Sequence, residues 1–180
     1  AAAEANDFEV GNALHELVVG ASDTDTTTNV DVDLTEVNVD DNAPVFANTP
    51  YEFEYNENTA ANTVLGTVAA SDADGDAITY SIVSGNDNGW YGIDPNTGAI
   101  SLTETGAASL ANDFEAGDNE QNLVVGAADA DTTTEIAVSL SELNVDDNAP
   151  VFANTPYEFE YDENTAANTV LGTVAASDAD

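Results

Sequence analysis

Asp7 and Glu9 stand two residues apart, and so do Asp72 and Asp74. Between them the run Asn38-Val39-Asp40-Asp41-Asn42 sets four oxygen-bearing side chains on one short stretch. In an extended segment a spacing of two turns both side chains to the same side. Two carboxylates about 5 Å apart repel by roughly 1 kcal/mol in water, and by several times that where water is partly excluded. A crowd of such groups must take up protons or hold a cation. Numerous, flexible, oxygen-only ligands suit Ca²⁺, whereas Mg²⁺ demands a tight octahedron and keeps its waters. Zn²⁺ would call for Cys or His. The chain has no Cys and a single His. That residue, His15, stands where a second copy of the sequence has Gln121, and reads as an ordinary surface residue.

Two other uses of acids fit less well. Glycoside hydrolysis needs one pair of carboxylates in one cleft, whereas these acids come in recurring groups, so the chain reads as a non-enzyme. An EF-hand loop has Gly at its sixth position and a bidentate Glu at its twelfth. The run starting at Asp72 has Gly75 fourth, and Val83 where that Glu belongs.

The recurrence is long and regular. VDDNAPVF begins at Val39 and again at Val145, an offset of 106 residues. The stretches Val39–Asp74 and Val145–Asp180 differ only in Asn56 against Asp162. ANDFE at Ala5 returns at Ala111, LVVGA at Leu17 returns at Leu123, and DTTT at Asp25 returns at Asp131. Residues 1–40 therefore read as the end of one unit, 41–146 as a complete unit and 147–180 as the start of the next, a window on a longer chain. A unit of this length is ordinary for a domain with its own core.

Within the unit, apolar residues alternate with polar ones in short runs bounded by turn residues, the pattern of half-buried strands. The runs are YEFEY at Tyr51, NTVLGTVAA at Asn62, AITYSIV at Ala77, WYGI at Trp90, AISLTE at Ala99, QNLVVGAA at Gln121 and TEIAVSLSEL at Thr134. DPNTG between the fourth and fifth is a turn signal. TAAN and GAASLAN are too short for stable helices. The expected fold is all-β, a seven-stranded Greek-key sandwich with antiparallel strands, repeated in a linear tandem array. The acids fall mainly between strands, at Ser71, Asn112, Ala127 and Asn144, so they should gather at the poles where units meet. Asp129 can reach the same pole as Asp72 and Asp74.

The bulk composition narrows the partners. There are 36 Asp and Glu and no Lys or Arg, a net charge of −36. That excludes a nucleic-acid binder, which needs cations for phosphate, and disfavours anionic membranes. No apolar run is long enough to span a bilayer. With 42% hydrophobic residues in a clear pattern, the chain is no disordered acidic tail.

Taken together, these motifs resemble the cadherin repeat, in its bacterial form. Asn56-Glu57-Asn58 resembles the acidic motif early in that repeat. Asp72 and Asp74, like Asp178 and Asp180, resemble its Asp-x-Asp pair. NDFE at Asn6 and Asn112 resembles its Leu-Asp-Arg-Glu motif, with Phe8 and Phe114 in place of Arg. AAD ending at Asp129 resembles its Ala-x-Asp motif, as does ASD ending at Asp23. NVDDNAPVF resembles the linker Asp-x-Asn-Asp-Asn-Ala-Pro with Asp and Asn exchanged, and Asp76 stands near a position where the family often has Asn.

The resemblance implies a string of Ca²⁺ ions at each junction. The first would use Asp7, Glu9, Asn38, Asp40, Asp41, Asn42, Asp72, Asp74 and Asp129. The second would use Glu57, Asp113, Glu115, Asn144, Asp146, Asp147, Asn148, Asp178 and Asp180. It also implies that Tyr91 and Ile93 are core residues, with Trp90 pointing the other way as a partly buried structural residue. The expected role is an extracellular or cell-surface extender or fibre, stiffened by calcium and partnered by neighbouring identical repeats. The alternatives are a calcium-dependent carbohydrate-binding module that grips polysaccharide through Trp90 and the acidic loops, and homophilic adhesion or polymerisation by strand exchange.

Overall fold

The computed structural model describes residues 7–11 and 13–180; Ala5 and Asn6 of the ANDFE motif lie outside the described residues. The strands, in chain order, are β1 Leu14–Ser22, β2 Thr27–Thr35, β3 Val45–Phe46, β4 Tyr51–Asn56, β5 Val64–Thr67, β6 Ala70–Ser71, β7 Thr79–Ser84, β8 Tyr91–Ile93, β9 Ala99–Leu102, β10 Glu120–Ala128, β11 Thr133–Leu143, β12 Val151–Phe152 and β13 Ala176–Ser177. Every run picked out by alternation contains a strand. The run at Asn62 is divided into β5 and β6.

Two sheets face each other between residues 45 and 143. One is ordered β4-β11-β10-β7 and the other β5-β9-β8, with β3 paired to β6 beside them. Alternation builds the interface. Tyr51 and Tyr55 of β4 are buried while Glu52 and Glu54 are exposed, and β11 buries Ile136, Val138 and Leu140 at every second position. Leu123, Val125 and Ala127 of β10 meet Val68, Ile100 and Leu102 from the other side in one core. Tyr91 is buried, and Trp90 and Ile93 are partly buried against that core. The Tyr55 and Tyr91 hydroxyls, one from each sheet, lie 3.1 Å apart in a buried hydrogen bond. The predicted DPNTG turn is closed by Asp94 Oδ1, which accepts from the amides of Asn96 and Thr97 at 2.9 Å each.

One expectation is corrected. The sandwich is not wholly antiparallel, because β4 runs parallel to β11, with Tyr51 opposite Val138 and Asn56 opposite Leu143. A parallel pair needs a long crossover, and here the rest of the domain supplies it. Alternation reports which side chains face inward and carries no information on strand direction. The segment after β9 also winds more than expected. It forms one turn, α1 Glu104–Ala107, capped by Thr103 Oγ1 accepting from the Gly106 amide at 3.0 Å, and a 3-10 turn Leu110–Asn112.

The sequence repeat is also a structural repeat. The β1–β2 hairpin pairs Leu17 with Val32 as the β10–β11 hairpin pairs Leu123 with Val138. Likewise β12–β13 pairs Val151 with Ser177 as β3–β6 pairs Val45 with Ser71. Each linker thus leaves the long last strand of a hairpin and enters a short strand held by the segment that carries Asp-x-Asp. That geometry brings the distant acids together.

Candidate metal centre

The first linker is fastened to the Asp72–Asp74 loop by one carboxylate. Asp74 Oδ2 accepts from the amides of Asp41 at 3.1 Å and Asn42 at 2.8 Å, and Oδ1 accepts from Asn42 Nδ2 at 3.3 Å. Asn38 Nδ2 donates to the Asp74 carbonyl at 3.0 Å, and the Asp74 amide donates to Asp72 Oδ1 at 2.9 Å. The second linker repeats the device. Asn148 donates through its amide to Asp180 Oδ2 at 2.8 Å and through Nδ2 to Asp180 Oδ1 at 3.1 Å. It also reaches Glu115 Oε2 at 3.1 Å.

These fastenings crowd acids. At the first linker, Glu9, Asp41 and Asp74 have carboxylate oxygens within 4.8 Å of one another, and so do Asp40, Asp74 and Asp76. At the second, the groups are Glu57-Asp113-Glu115 and Glu115-Asp147-Asp180. Glu57 is the fixed centre of its group. It is buried, with Oε1 accepting from the Val145 amide at 2.6 Å and Oε2 from the Phe114 amide at 2.8 Å. It therefore ties the end of β4 to both the 113–115 loop and the linker.

The electrostatics follow the crowding. Desolvation, then the neighbouring Asp74 and Asp7, raise the Glu9 carboxyl above its ordinary range. Asp40 is raised by desolvation and then by the charges of Asp129, Asp76, Asp131 and Asp74. Glu115 is raised by desolvation and then by Glu57 and Asp180. Asp74 is desolvated too, but the amide and side chain of Asn42 and the amide of Asp41 outweigh this and hold it low. Asp180 is held low first by the Asn148 side chain.

The donors present fit a hard cation. Among the described residues, Glu9 Oε1, Asn38 Oδ1, Asp40 Oδ1 and Asp72 Oδ2 are buried oxygens with no hydrogen-bond partner. All four belong to residues expected as ligands at the first junction. An orphaned buried acceptor costs about 1–3 kcal/mol, and a cation is the kind of partner that removes the cost.

Not every expected residue joins these groups. Asp7 lies beside Glu9, its Oδ1 accepting from the Val10 amide at 3.3 Å. Asp129 acts electrostatically on Asp40, but both its oxygens close the β10–β11 turn through Asp131 and Thr132. Asn144, Asp146 and Asp178 are exposed and outside the groups. His15, expected as a surface residue, has Nε2 4.0 Å from Glu36 Oε2.

Glu142 was missed. It is 4% exposed, and neither of its oxygens has a hydrogen-bond partner. Burial raises its carboxyl to about 7, helped by the charges of Glu57, Asp113 and Glu115. The signal was in the phase of β11, since Ile136, Val138 and Leu140 put the next alternate residue on the inner face. Asp76 joins its group because Gly75, at φ +82°, turns the chain back towards the linker.

A family model described as "Cadherin domain" matches residues 51–141. The cadherin EGF LAG seven-pass G-type receptor 3 of Mus musculus is 35% identical over 179 residues, which is 92% of this chain and 5% of that protein. Protocadherin Fat 1 of Homo sapiens is 34% identical over 150 residues, 80% of this chain and 3% of that one. Protein dachsous of Drosophila melanogaster is 32% identical, over 92% of this chain and 5% of its own length. The chain thus spans about one twentieth of these relatives or less. The solved mouse cadherin-23 EC22–24 is 29% identical with a TM-score of 0.66, covering 92% of this chain and 53% of that one. The protocadherin gamma B2 extracellular cadherin domains 3–6 share the fold, with a TM-score of 0.76 at 22% identity over 93% of this chain and 43% of that one. These named relatives are animal proteins and give the expected bacterial form no support. Matched over residues 51–141, the chain belongs to the cadherin family.

Proposed function

We propose that the chain is a calcium-binding structural segment of a long extracellular adhesion protein, in which ions at the junctions between repeats stiffen a tandem array. Its units are residues 1–40, 41–146 and 147–180, and its immediate partners are neighbouring copies of the same repeat. It has no catalytic role. The observation that carries this reading is that one constellation is built twice, 106 residues apart. Each time an Asn of the linker is held by the second acid of an Asp-x-Asp segment, and each time carboxylates converge there with no Lys or Arg to offset them.

Glu9, Asn38, Asp40, Asp41, Asp72, Asp74 and Asp76 would hold ions at the first junction. Glu57, Asp113, Glu115, Asp147, Asn148 and Asp180 would do so at the second. A bound divalent cation supplies positive charge that turns mutual repulsion among these groups into shared attraction. The chain itself does the positioning. Asp74 and Asp180 pin the linkers, and Glu57 fixes the first unit's loop against the second linker. With repulsion unrelieved, the linker is the weakest part of the array, so cation binding should convert a jointed chain into a rod.

Trp90, the residue on which carbohydrate stacking would depend, packs partly buried against the core, which favours the extender over a polysaccharide-binding module. Small-angle scattering of the chain with and without a calcium chelator tests the proposal. A smaller mean radius of gyration with a broader spread of conformations is expected on chelation, and an unchanged scattering profile would refute it.

A further inference from the structure

The inner face of β11 reads Ile136, Val138, Leu140 and then Glu142. The first three fill the core as apolar side chains. The fourth puts a carboxylate in the same row, 4% exposed, at the end of the strand nearest the linker. A buried carboxylate is costly unless it is paired, yet both Glu142 oxygens lack a hydrogen-bond partner.

What surrounds it contains no cation. Tyr55 stands opposite it in the β4–β11 register, and the Tyr55 and Tyr91 hydroxyls bond to each other. The charges that act on it are those of Glu57, Asp113 and Glu115. Glu57 cannot turn away, because two backbone amides hold it. One feature recurs at the other linker. Glu36 holds the equivalent place, and its Oε2 is again a buried oxygen without a hydrogen-bond partner, with His15 Nε2 standing 4.0 Å away.

We propose that Glu142 is a direct cation ligand, the floor of a hard divalent-cation site whose walls are Glu57, Asp113 and Glu115. This rests on the calcium reading of the junction and extends it to a strand residue outside the linker and loop motifs. Ca²⁺–oxygen bonds of about 2.3–2.6 Å place ligands on opposite sides of the ion roughly 5 Å apart. A floor ligand therefore need not belong to the tight group formed by the three walls.

The test titrates the full chain with Ca²⁺ by calorimetry, as wild type, Glu142→Leu and Glu142→Gln. It also counts waters on bound Eu³⁺ from luminescence lifetimes in H₂O and D₂O. Loss of at least tenfold in affinity at one set of sites is expected in Glu142→Leu, with the other set unchanged. The mean hydration of Eu³⁺ should rise, because water replaces a lost protein oxygen. Glu142→Gln keeps the shape and one neutral oxygen, so it should weaken binding less, and it decides the matter if Glu142→Leu does not fold. Wild-type affinity in the variants would overturn the proposal. So would weakened binding with unchanged hydration, which would mean that Glu142 acts through its charge alone. A wild-type chain that binds no Ca²⁺ would instead overturn the junction reading itself, and this inference with it.

Discussion

Raising the pH of the chelated protein should destabilise it, and Glu142 sets the window. Its carboxyl is raised from an ordinary 4.5 to about 7, chiefly by burial. Below about pH 4.5 it is protonated whether the chain is folded or not, and contributes nothing to the pH dependence. Between about 4.5 and 7 the folded state keeps a proton that the unfolded state releases, so stability falls as pH rises. Above about 7 the penalty is complete and constant.

The full shift corresponds to a ceiling of about 3 kcal/mol. Glu115, one of the charges acting on Glu142, is exposed, so water screens part of the effect and about 2 kcal/mol is the expected loss. Glu9, Asp40 and Glu115 are raised as well and pull the same way. Asp23, Asp94 and Asp129 are lowered by backbone amides, so the stability they add is lost only at more acid pH, outside this window.

Thermal denaturation followed through Trp90 fluorescence at pH 5.0, 6.0, 7.0 and 8.0 in chelator measures the effect, and the midpoint temperature should fall by on the order of 10 °C. Glu142→Leu should flatten most of the slope. At pH 7.5, Ca²⁺ at about a hundred times its dissociation constant should restore about 2.7 kcal/mol. Stability that is level or rising between pH 5 and 7.5, or a Glu142→Leu slope equal to wild type, would refute the reasoning.

Two substitutions probe the frame around the site. Glu57→Ala leaves the half-buried amides of Phe114 and Val145 without their acceptor but also relieves repulsion, so a net loss of about 1–3 kcal/mol in chelator is expected by urea titration. The same variant should lose more in Ca²⁺ than in chelator, and an equal loss in both would remove Glu57 from the ligand set. Gly98→Ala tests the turn that sets β9 against β5. Gly98 sits at φ +69°, and a Cβ there would lie 2.3 Å from the Val68 carbonyl oxygen, so a loss of about 2 kcal/mol or more is expected in the melting curve, with calcium affinity unchanged.

Most of the fold was legible because it rests on alternation. YEFEY and TEIAVSLSEL each present one apolar side every second residue, and burial in the structure follows that phase. What alternation could not give was the direction of β4 beside β11, since parallel and antiparallel neighbours bury the same side chains. The clustered acids were legible for a similar local reason. Asp72-Ala73-Asp74 and Asn38–Asn42 repeat their spacing, and the second copy shows that the spacing is kept as a unit. That the Asp129 carboxylate is spent on its own turn depends on the conformation at Asp131 and Thr132, which its acidic neighbours hide from the sequence.

Glu142 shows why a polar residue can be invisible when it obeys the pattern. The run TEIAVSLSEL takes in Ser141-Glu142-Leu143, but an acid at its end reads as solvent-facing and the Leu after it as buried. The structure continues the strand to Leu143 and keeps Glu142 on the inner face, leaving Leu143 40% exposed. In a chain with no Lys or Arg, that inversion cannot be repaid by an ion pair among its own side chains except through His15, which stands beside Glu36 at the other linker. An apolar residue at position 142 would pack the sandwich better on its own account. Glu stands at the corresponding position in both copies, Glu36 and Glu142, which fits the proposal that a cation at the pole where the repeats meet is its stabilising partner.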